Sequence, residues 1–300
     1  MTWFFLSLAC AFFSATIATL FKLILKKRNE FLVVWSMFAF ALPVFFVVFL
    51  IVPKPHFGLA LWKTVALMLP VEITAFLLYM RSLKISPLSL VFPFLGLTPV
   101  FTILTSFFIL GETLSLYGII GVFMVSFGAY TLNMRSIKDG LLAPIKNIYK
   151  EKGVFLMIIV AFLYGITATL GKRAVILSSP LSFPAVYFSI FFLILTPIAI
   201  VKLVGKKHEA KQNIENNTSL RIKNNILLFF VAGILFSATI LLHYKAISLV
   251  KVSYMISVKR LSLVISVIYG GIVFKEKAMG YRILGSSIMV LGIAILSLTK

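Results

Sequence analysis

Ten long apolar runs are the feature that most constrains this chain of 300 residues. Each is about 20 residues or longer, the length that an α-helix needs to cross the hydrocarbon core of a bilayer. Such runs are too long for barrel strands, so the sequence predicts an all-α integral membrane protein with ten transmembrane helices. The predicted spans are residues 3–24, 31–52, 59–80, 85–110, 114–133, 153–173, 182–203, 224–246, 250–273 and 278–298.

The composition excludes the soluble classes of protein. Hydrophobic residues make up 61% of the chain and charged residues 12%, whereas soluble domains have about 45–50% and 25%. So few polar residues cannot cover a water-soluble fold of this size. Lys and Arg number 29 against 8 Asp and Glu. The basic residues lie mainly between the apolar runs, which indicates a topology signal rather than a nucleic-acid surface.

The basic loops also predict an orientation in the membrane. The connector 134–152 and the loop 204–223 are both rich in Lys and Arg, and they follow the fifth and seventh spans. Both therefore lie on the same side of the membrane. Because cytoplasmic loops are enriched in Lys and Arg, we expect these loops in the cytoplasm and both termini outside. The expected location is the plasma or inner membrane, crossed many times.

An internal repeat divides the chain into two halves. A shift of 150 residues places the first span on the sixth and Lys22 on Lys172. A shift of 164 residues places Glu112 on Glu276 in the later spans. Since each unit has an odd number of spans, the second copy begins on the opposite side of the membrane. We therefore expect two inverted five-helix repeats around one central cavity, the plan of many secondary transporters. The predicted domains are a first repeat at 1–133, a basic connector at 134–152 and a second, inverted repeat at 153–300.

Motifs in the fourth and ninth spans carry a resemblance to a known family. They are Leu97-Thr98-Pro99-Val100-Phe101 and Leu110-Gly111-Glu112 in the first half, with Ser257-Val258-Lys259-Arg260-Leu261-Ser262 and Phe274-Lys275-Glu276-Lys277 in the second. In each half these motifs are followed by a final span that contains repeated glycines. In these features the sequence resembles the EamA-type transporters of the drug/metabolite transporter superfamily.

The resemblance implies secondary transport of a small metabolite by alternating access. The substrate class would be an amino acid, a related compound or a drug, and the direction export. The alternative is a carrier of a lipid-linked or nucleotide-linked sugar, which would have a lateral opening and a large basic pocket. A channel or a membrane enzyme fits the sequence less well, because it has neither a continuous polar stripe nor clustered histidines or carboxylates.

Three charged residues inside the predicted spans are candidates for the substrate pathway. Glu72 is the only acidic residue well inside a span, where a charge costs about 2.5–3.5 kcal/mol on insertion scales. Lys259 and Arg260 lie roughly 10–15 Å into the ninth span at the helical rise per residue. Adjacent helical residues point about 100° apart. We therefore expect one of these two to face the cavity and attract an anionic group, while the other snorkels or pairs with Glu72.

Aromatic and histidine side chains are further candidates for the cavity wall. Tyr79 and His243 are favoured because the shift of 164 residues superposes them. The other candidates of this kind are Trp35, Tyr164, Tyr187, Tyr244 and Tyr254, of which Trp35 and Tyr254 are included in the predicted substrate pathway. For each of the aromatic residues the alternative is contact with lipid or with the membrane interface. The repeated lysine at the ends of spans one and six is interpreted as a snorkelling anchor.

Paired glycines predict a close contact between two spans. Gly121 and Gly128 in the fifth span, and Gly285 and Gly292 in the tenth, share a spacing of seven residues. Small residues on one face let transmembrane helices approach closely, so we expect the fifth span to pack against the tenth.

The sequence shows no catalytic motif and no metal-ligand spacing. We therefore expect no enzymatic activity, no catalytic residues, no metal and no cofactor. The expected partners are the lipid bilayer and a small-molecule substrate, not nucleic acid, and the chain is expected to be monomeric.

Overall fold

The regular structure is helical throughout the residues that the computed structural model describes. These residues are 2–25, 30–53, 55, 57–86, 91–131, 151–210, 218–274 and 280–298. The helices are α1 (Thr2–Leu25), α2 (Glu30–Ile51), α3 (Leu59–Ile85), a 3-10 helix (Phe92–Leu97), α4 (Thr98–Leu110), α5 (Leu116–Thr131), α6 (Lys152–Ile176), α7 (Ser182–Ala210), α8 (Thr218–Ile247), α9 (Val252–Lys259), α10 (Leu261–Phe274) and α11 (Gly280–Leu298).

Six of these helices are long and apolar enough to cross a membrane by themselves, namely α1, α2, α3, α6, α7 and α8. The remaining four predicted spans correspond to shorter or divided apolar helices. An all-helical, multi-pass membrane protein is therefore the architecture that the sequence predicted. The expected loop at 204–223 is shorter than predicted, because α7 continues to Ala210 and α8 begins at Thr218.

The prediction that the fourth and ninth spans are single helices is wrong. A 3-10 helix occupies residues Phe92–Leu97 of the fourth span, and Pro99 stands in the first turn of α4. Proline has no N–H to donate, so it fits the start of a helix better than its middle. The ninth span is interrupted at Arg260, which caps α9 with φ −69° and ψ −8° before α10 begins.

The helices of the first half pack directly on those of the second. α1 and α2 both contact α8, α2 also contacts α7, and α3 and α4 contact α6. Aromatic rings fill this interface: the ring centroid of Phe38 lies 4.9 Å from that of Phe191 and 5.0 Å from that of Phe236. The largest buried cluster thus contains residues from α1 to α3 and from α6 to α9.

α5 and α11 pack together through glycines. A Cβ atom at Gly128 would lie 2.7 Å from the carbonyl oxygen of Gly285, and one at Gly121 would lie 2.9 Å from that of Gly292. Real Cβ atoms do not approach oxygen so closely, so any side chain at these positions would push the helices apart. The backbones meet because glycine leaves the space free.

Candidate functional site

A cavity of about 220 Å³ lies between the two halves of the chain. Aromatic rings of Phe76, Phe188 and Phe236 form part of its apolar wall. Polar side chains converge on it from both halves, as expected of a site that orients a small ligand. They are Ser14, Glu72, Tyr79, Thr98, Tyr164, Thr167, Thr239, His243, Tyr244, Lys259, Arg260 and Ser262.

Both cations of the ninth span face this cavity. The prediction that only one of Lys259 and Arg260 would do so is wrong. It assumed a continuous helix, in which neighbouring side chains point about 100° apart. α9 ends at Lys259 and Arg260 caps it with φ −69° and ψ −8°, and both long side chains nevertheless reach the cavity lining.

Arg260 joins the two interrupted spans. Its Nη2 atom donates a hydrogen bond of 2.7 Å to Oγ1 of Thr98, the first residue of α4. The Thr98 hydroxyl in turn donates to the carbonyl oxygen of Leu95 at 2.8 Å. Sequence reasoning missed Thr98 as a site residue. The signal was present in the motif Leu97-Thr98-Pro99, where the proline marks a helix start beside a polar side chain.

Glu72 enters the cavity from α3 and is only 8% exposed. Its side chain interacts with Thr167 of α6, and its Oε2 atom has no hydrogen-bond partner. The expected ion pair with Lys259 or Arg260 is absent: among the described residues, no carboxylate lies within 4 Å of either cation. The carboxyl group is therefore available to a ligand or a proton.

Tyr79 and His243, which a sequence shift of 164 residues superposes, both line the cavity. Nδ1 of His243 lies 3.4 Å from Nζ of Lys259, a long contact. The ring of Tyr79 lies 6.3 Å from that of Tyr164, centroid to centroid, and the two rings are inclined by 53°. Tyr164 and Tyr244, two of the other aromatic candidates from the sequence, line the cavity as well.

Two predicted pathway residues lie outside the cavity. Trp35 stacks on Phe192 at 5.7 Å, and its Nε1 atom donates to Oγ1 of Thr196 at 3.1 Å. Tyr254 is 3% exposed and packs against Gly118 of α5. The structure does not bring these two side chains to the cavity: composition cannot give the rotation of a helix, and both face neighbouring helices instead.

An ion pair lies one helical turn beyond the cavity. Glu112, between α4 and α5, binds the ammonium group of Lys172, which also donates to the carbonyl oxygen of Val250 at 2.8 Å. The second carboxylate oxygen of Glu112 accepts a 2.9 Å bond from the backbone N–H of Val252. Lys172 follows the lining residue Ala168 by four residues, or one turn. The interpretation of Lys172 as a snorkelling anchor is therefore wrong, and the side chain of Lys22 lies outside the described residues, as does Glu276.

Comparison with known proteins identifies the family. A crystal structure with 15% identical residues superposes with a TM-score of 0.68, over 99% of this chain and 95% of that one, which shows a shared fold. A search of curated proteins finds no match. The sequence matches the EamA-like transporter family over residues 1–134 and 151–298. Because this match covers nearly the whole chain, the protein belongs to the EamA-like transporter family.

Proposed function

We propose that this protein is a secondary transporter that exports a small metabolite by alternating access. The observation that carries the proposal is the cavity between the halves. Glu72 from the first half lines it together with Lys259 and Arg260 from the second. Ionisable residues inside a membrane are costly and commonly belong to a substrate or ion pathway. The proposed direction, export, is that of the EamA-type transporters which the sequence resembles.

The divided spans support the mechanism. Discontinuous helices at corresponding positions of two repeats are the usual sign of a transporter binding site near the middle of the membrane. Here α4 begins at Thr98 and α10 at Leu261, and the 164-residue shift places Thr98 on Ser262. The breaks therefore differ by a single position. We propose from this agreement that the halves are inverted repeats, related by an axis in the membrane plane.

The ion pair of Glu112 with Lys172 supports alternating access. It connects the segment after α4, the end of α6 and the start of α9, one turn from the cavity wall. A ligand could not leave past these three elements without separating them. We propose that this contact closes one end of the pathway and breaks when that end opens.

The site favours transport over the other functions considered. Among the described residues, no group of three His, Cys, Asp or Glu side chains gathers in a way that could hold a metal ion. The cavity is also small for a nucleotide-linked or lipid-linked sugar, whose carriers would have a large basic pocket. We propose a transporter and not an enzyme because the matched family is one of transporters. We further propose, from the Lys and Arg distribution, a location in the plasma or inner membrane with both termini outside.

Transport by the purified full chain in proteoliposomes tests the proposal. Vesicles would be loaded with a panel of amino acids, carboxylates, phosphate esters and cationic drugs, and exchange of each radiolabelled compound would be measured. Glu72→Gln should reduce exchange strongly while the protein stays folded. Glu151→Gln, a carboxylate outside the cavity lining, is the matched control and should exchange normally. Absence of exchange of every compound by the wild type would overturn the proposed function.

A proton-coupling role for Glu72 has its own measurement. If the carboxyl group exchanges protons with the pathway, an imposed pH gradient should change the initial rate in the wild type and not in Glu72→Gln. Equal responses of the two proteins to the gradient would reject coupling through Glu72 and leave transport itself in place.

A further inference from the structure

The cavity has an excess of positive charge. Lys259 and Arg260 contribute two cations, and Glu72 is the only carboxylate among the described lining residues. With Glu72 ionised, one positive charge is left without a counterpart inside the membrane. Such a charge is costly unless it is paired or solvated. An anion in the cavity would supply the missing partner.

The two cations also have free donors. Arginine carries five N–H donors in a planar fork that matches a carboxylate or a phosphate. One nitrogen of Arg260, Nη2, is taken by Thr98, while its buried Nε has no hydrogen-bond partner. Nζ of Lys259 makes only the 3.4 Å contact with His243 among the hydrogen bonds of the described residues. Lys259 and Arg260 thus keep donors that have no partner among the described residues, and both side chains line the same cavity.

Two helix starts lie beside these donors. α4 begins at Thr98, which accepts the hydrogen bond of Arg260, and α10 begins at Leu261, the next residue in the chain. The N-terminus of a helix carries a partial positive charge, which favours anions. At these two starts the N–H of Thr98 already donates to Leu95 and that of Leu263 to Arg260, so the charge and not free N–H groups is the contribution that we use. The helix starts and the unpartnered Nε of Arg260 therefore favour the same kind of ligand.

We infer that Lys259 and Arg260 bind an anionic oxygen group of the transported substrate, either a carboxylate or a phosphate. This inference rests on the proposed transport function and adds the substrate class to it. A purely cationic substrate would meet two cations and a single carboxylate, and would gain little. The free Oε2 of Glu72 gives room for a hydrogen-bond donor elsewhere on the same anionic molecule.

Binding and exchange of defined probes test the inference. The anionic probes are lactate, succinate, inorganic phosphate and glycerol phosphate; choline and tetraphenylphosphonium are the cationic probes, and glucose is the neutral one. The midpoint of thermal unfolding would be measured with each probe for the purified full chain, and exchange would be measured in proteoliposomes. A ligand that binds only the folded state raises the midpoint.

The variants are Arg260→Gln, Arg260→Lys and the control Lys63→Gln, an exposed lysine of α3 outside the cavity. We expect an anionic probe to raise the midpoint and to be exchanged by the wild type and by Lys63→Gln. Arg260→Gln should weaken its binding by roughly 10- to 100-fold, the usual effect of losing a charge-assisted hydrogen bond. Arg260→Lys keeps the positive charge without the planar guanidinium. Its affinity for the anionic probe should lie between those of the wild type and Arg260→Gln, which distinguishes a loss of binding from a loss of folding.

The outcomes distinguish this inference from the function on which it rests. Response to lactate or succinate alone identifies a carboxylate substrate, and response to the phosphate probes alone identifies a phosphate. Exchange of choline, tetraphenylphosphonium or glucose without any anion would overturn the anionic class and leave the transport function standing. Undiminished anion binding by Arg260→Gln would overturn the assignment to this residue. If no probe binds or is exchanged, the inference fails, and exchange of the wider panel of amino acids, carboxylates, phosphate esters and cationic drugs then decides whether the transport function stands.

Discussion

Replacing Glu112 by glutamine tests the ion pair that is proposed to close one end of the pathway. The change keeps the shape of the side chain and removes its charge. Lys172, which is only 13% exposed, then loses the carboxylate that pairs with it. The backbone N–H of Val252 in the first turn of α9 also loses a charged hydrogen-bond acceptor. The Glu112 side chain is 12% exposed, so water does little to screen the pair.

The expected cost follows from this burial. A hydrogen bond to a charged group contributes about 1.5–3 kcal/mol, and a carboxylate at a helix start adds roughly 0.3–1 kcal/mol. The glutamine amide in the Glu112→Gln variant can still accept one neutral hydrogen bond, which offsets part of the loss. We expect the free energy of unfolding to fall by about 2–3 kcal/mol, somewhat less than the roughly 3–5 kcal/mol for breaking a fully buried pair.

A double-mutant cycle isolates the pair. Unfolding would be followed in detergent micelles for the wild type, Glu112→Gln, Lys172→Gln and the double variant. Each single variant leaves one uncompensated charge, whereas the double variant leaves none, so its loss should be smaller than the sum of the two by about 1–2 kcal/mol. Additive losses would show that the two side chains do not interact energetically.

The same variant reports on closure of the pathway. A cysteine at Thr167, which lines the cavity, would be labelled with a membrane-impermeant maleimide in a Cys10→Ala background. If the pair closes the end near α9, Glu112→Gln should speed labelling from that side. Unchanged labelling together with unchanged stability would refute both the stabilising and the closing role of the pair.

Three further predictions concern packing, the cavity wall and orientation. Gly128→Leu should prevent close approach of α5 and α11 and reduce the yield of folded protein sharply, whereas Phe123→Leu, on the exposed face of α5, should be tolerated; equal yields would contradict glycine-mediated packing. Trp35→Phe should leave transport intact and cost about 1 kcal/mol through the lost bond to Thr196, and a transport defect without loss of stability would return Trp35 to the pathway. A C-terminal reporter that is active only in the cytoplasm should be inactive if the Lys and Arg distribution sets the orientation; an active reporter would reverse the orientation and leave the fold unchanged.

The sequence by itself determined that this protein lies in a lipid bilayer and that its fold is all-helical. Apolar runs of membrane length leave the backbone no alternative to helices in lipid, since each N–H and C=O must be satisfied within the chain. The same local logic identified Glu72, because a carboxylate in an apolar run is visible without any knowledge of packing. The glycine spacing also predicted the close packing of the fifth and tenth spans, since the distance to which two helices can approach depends on the size of the residues between them.

Only the tertiary structure decided which side chains share the cavity. Lys259 reaches it from the last position of α9 and Arg260 from the cap before α10, and no periodicity in the sequence marks that break. Trp35 and Tyr254 face neighbouring helices because helix rotation is set by the sum of many packing contacts. Lys172 forms an ion pair with Glu112, 60 positions earlier in the chain, instead of reaching for the interface. Hydrophobic pattern is a local property, whereas a binding site depends on long-range approach, which is decided only when the helices pack.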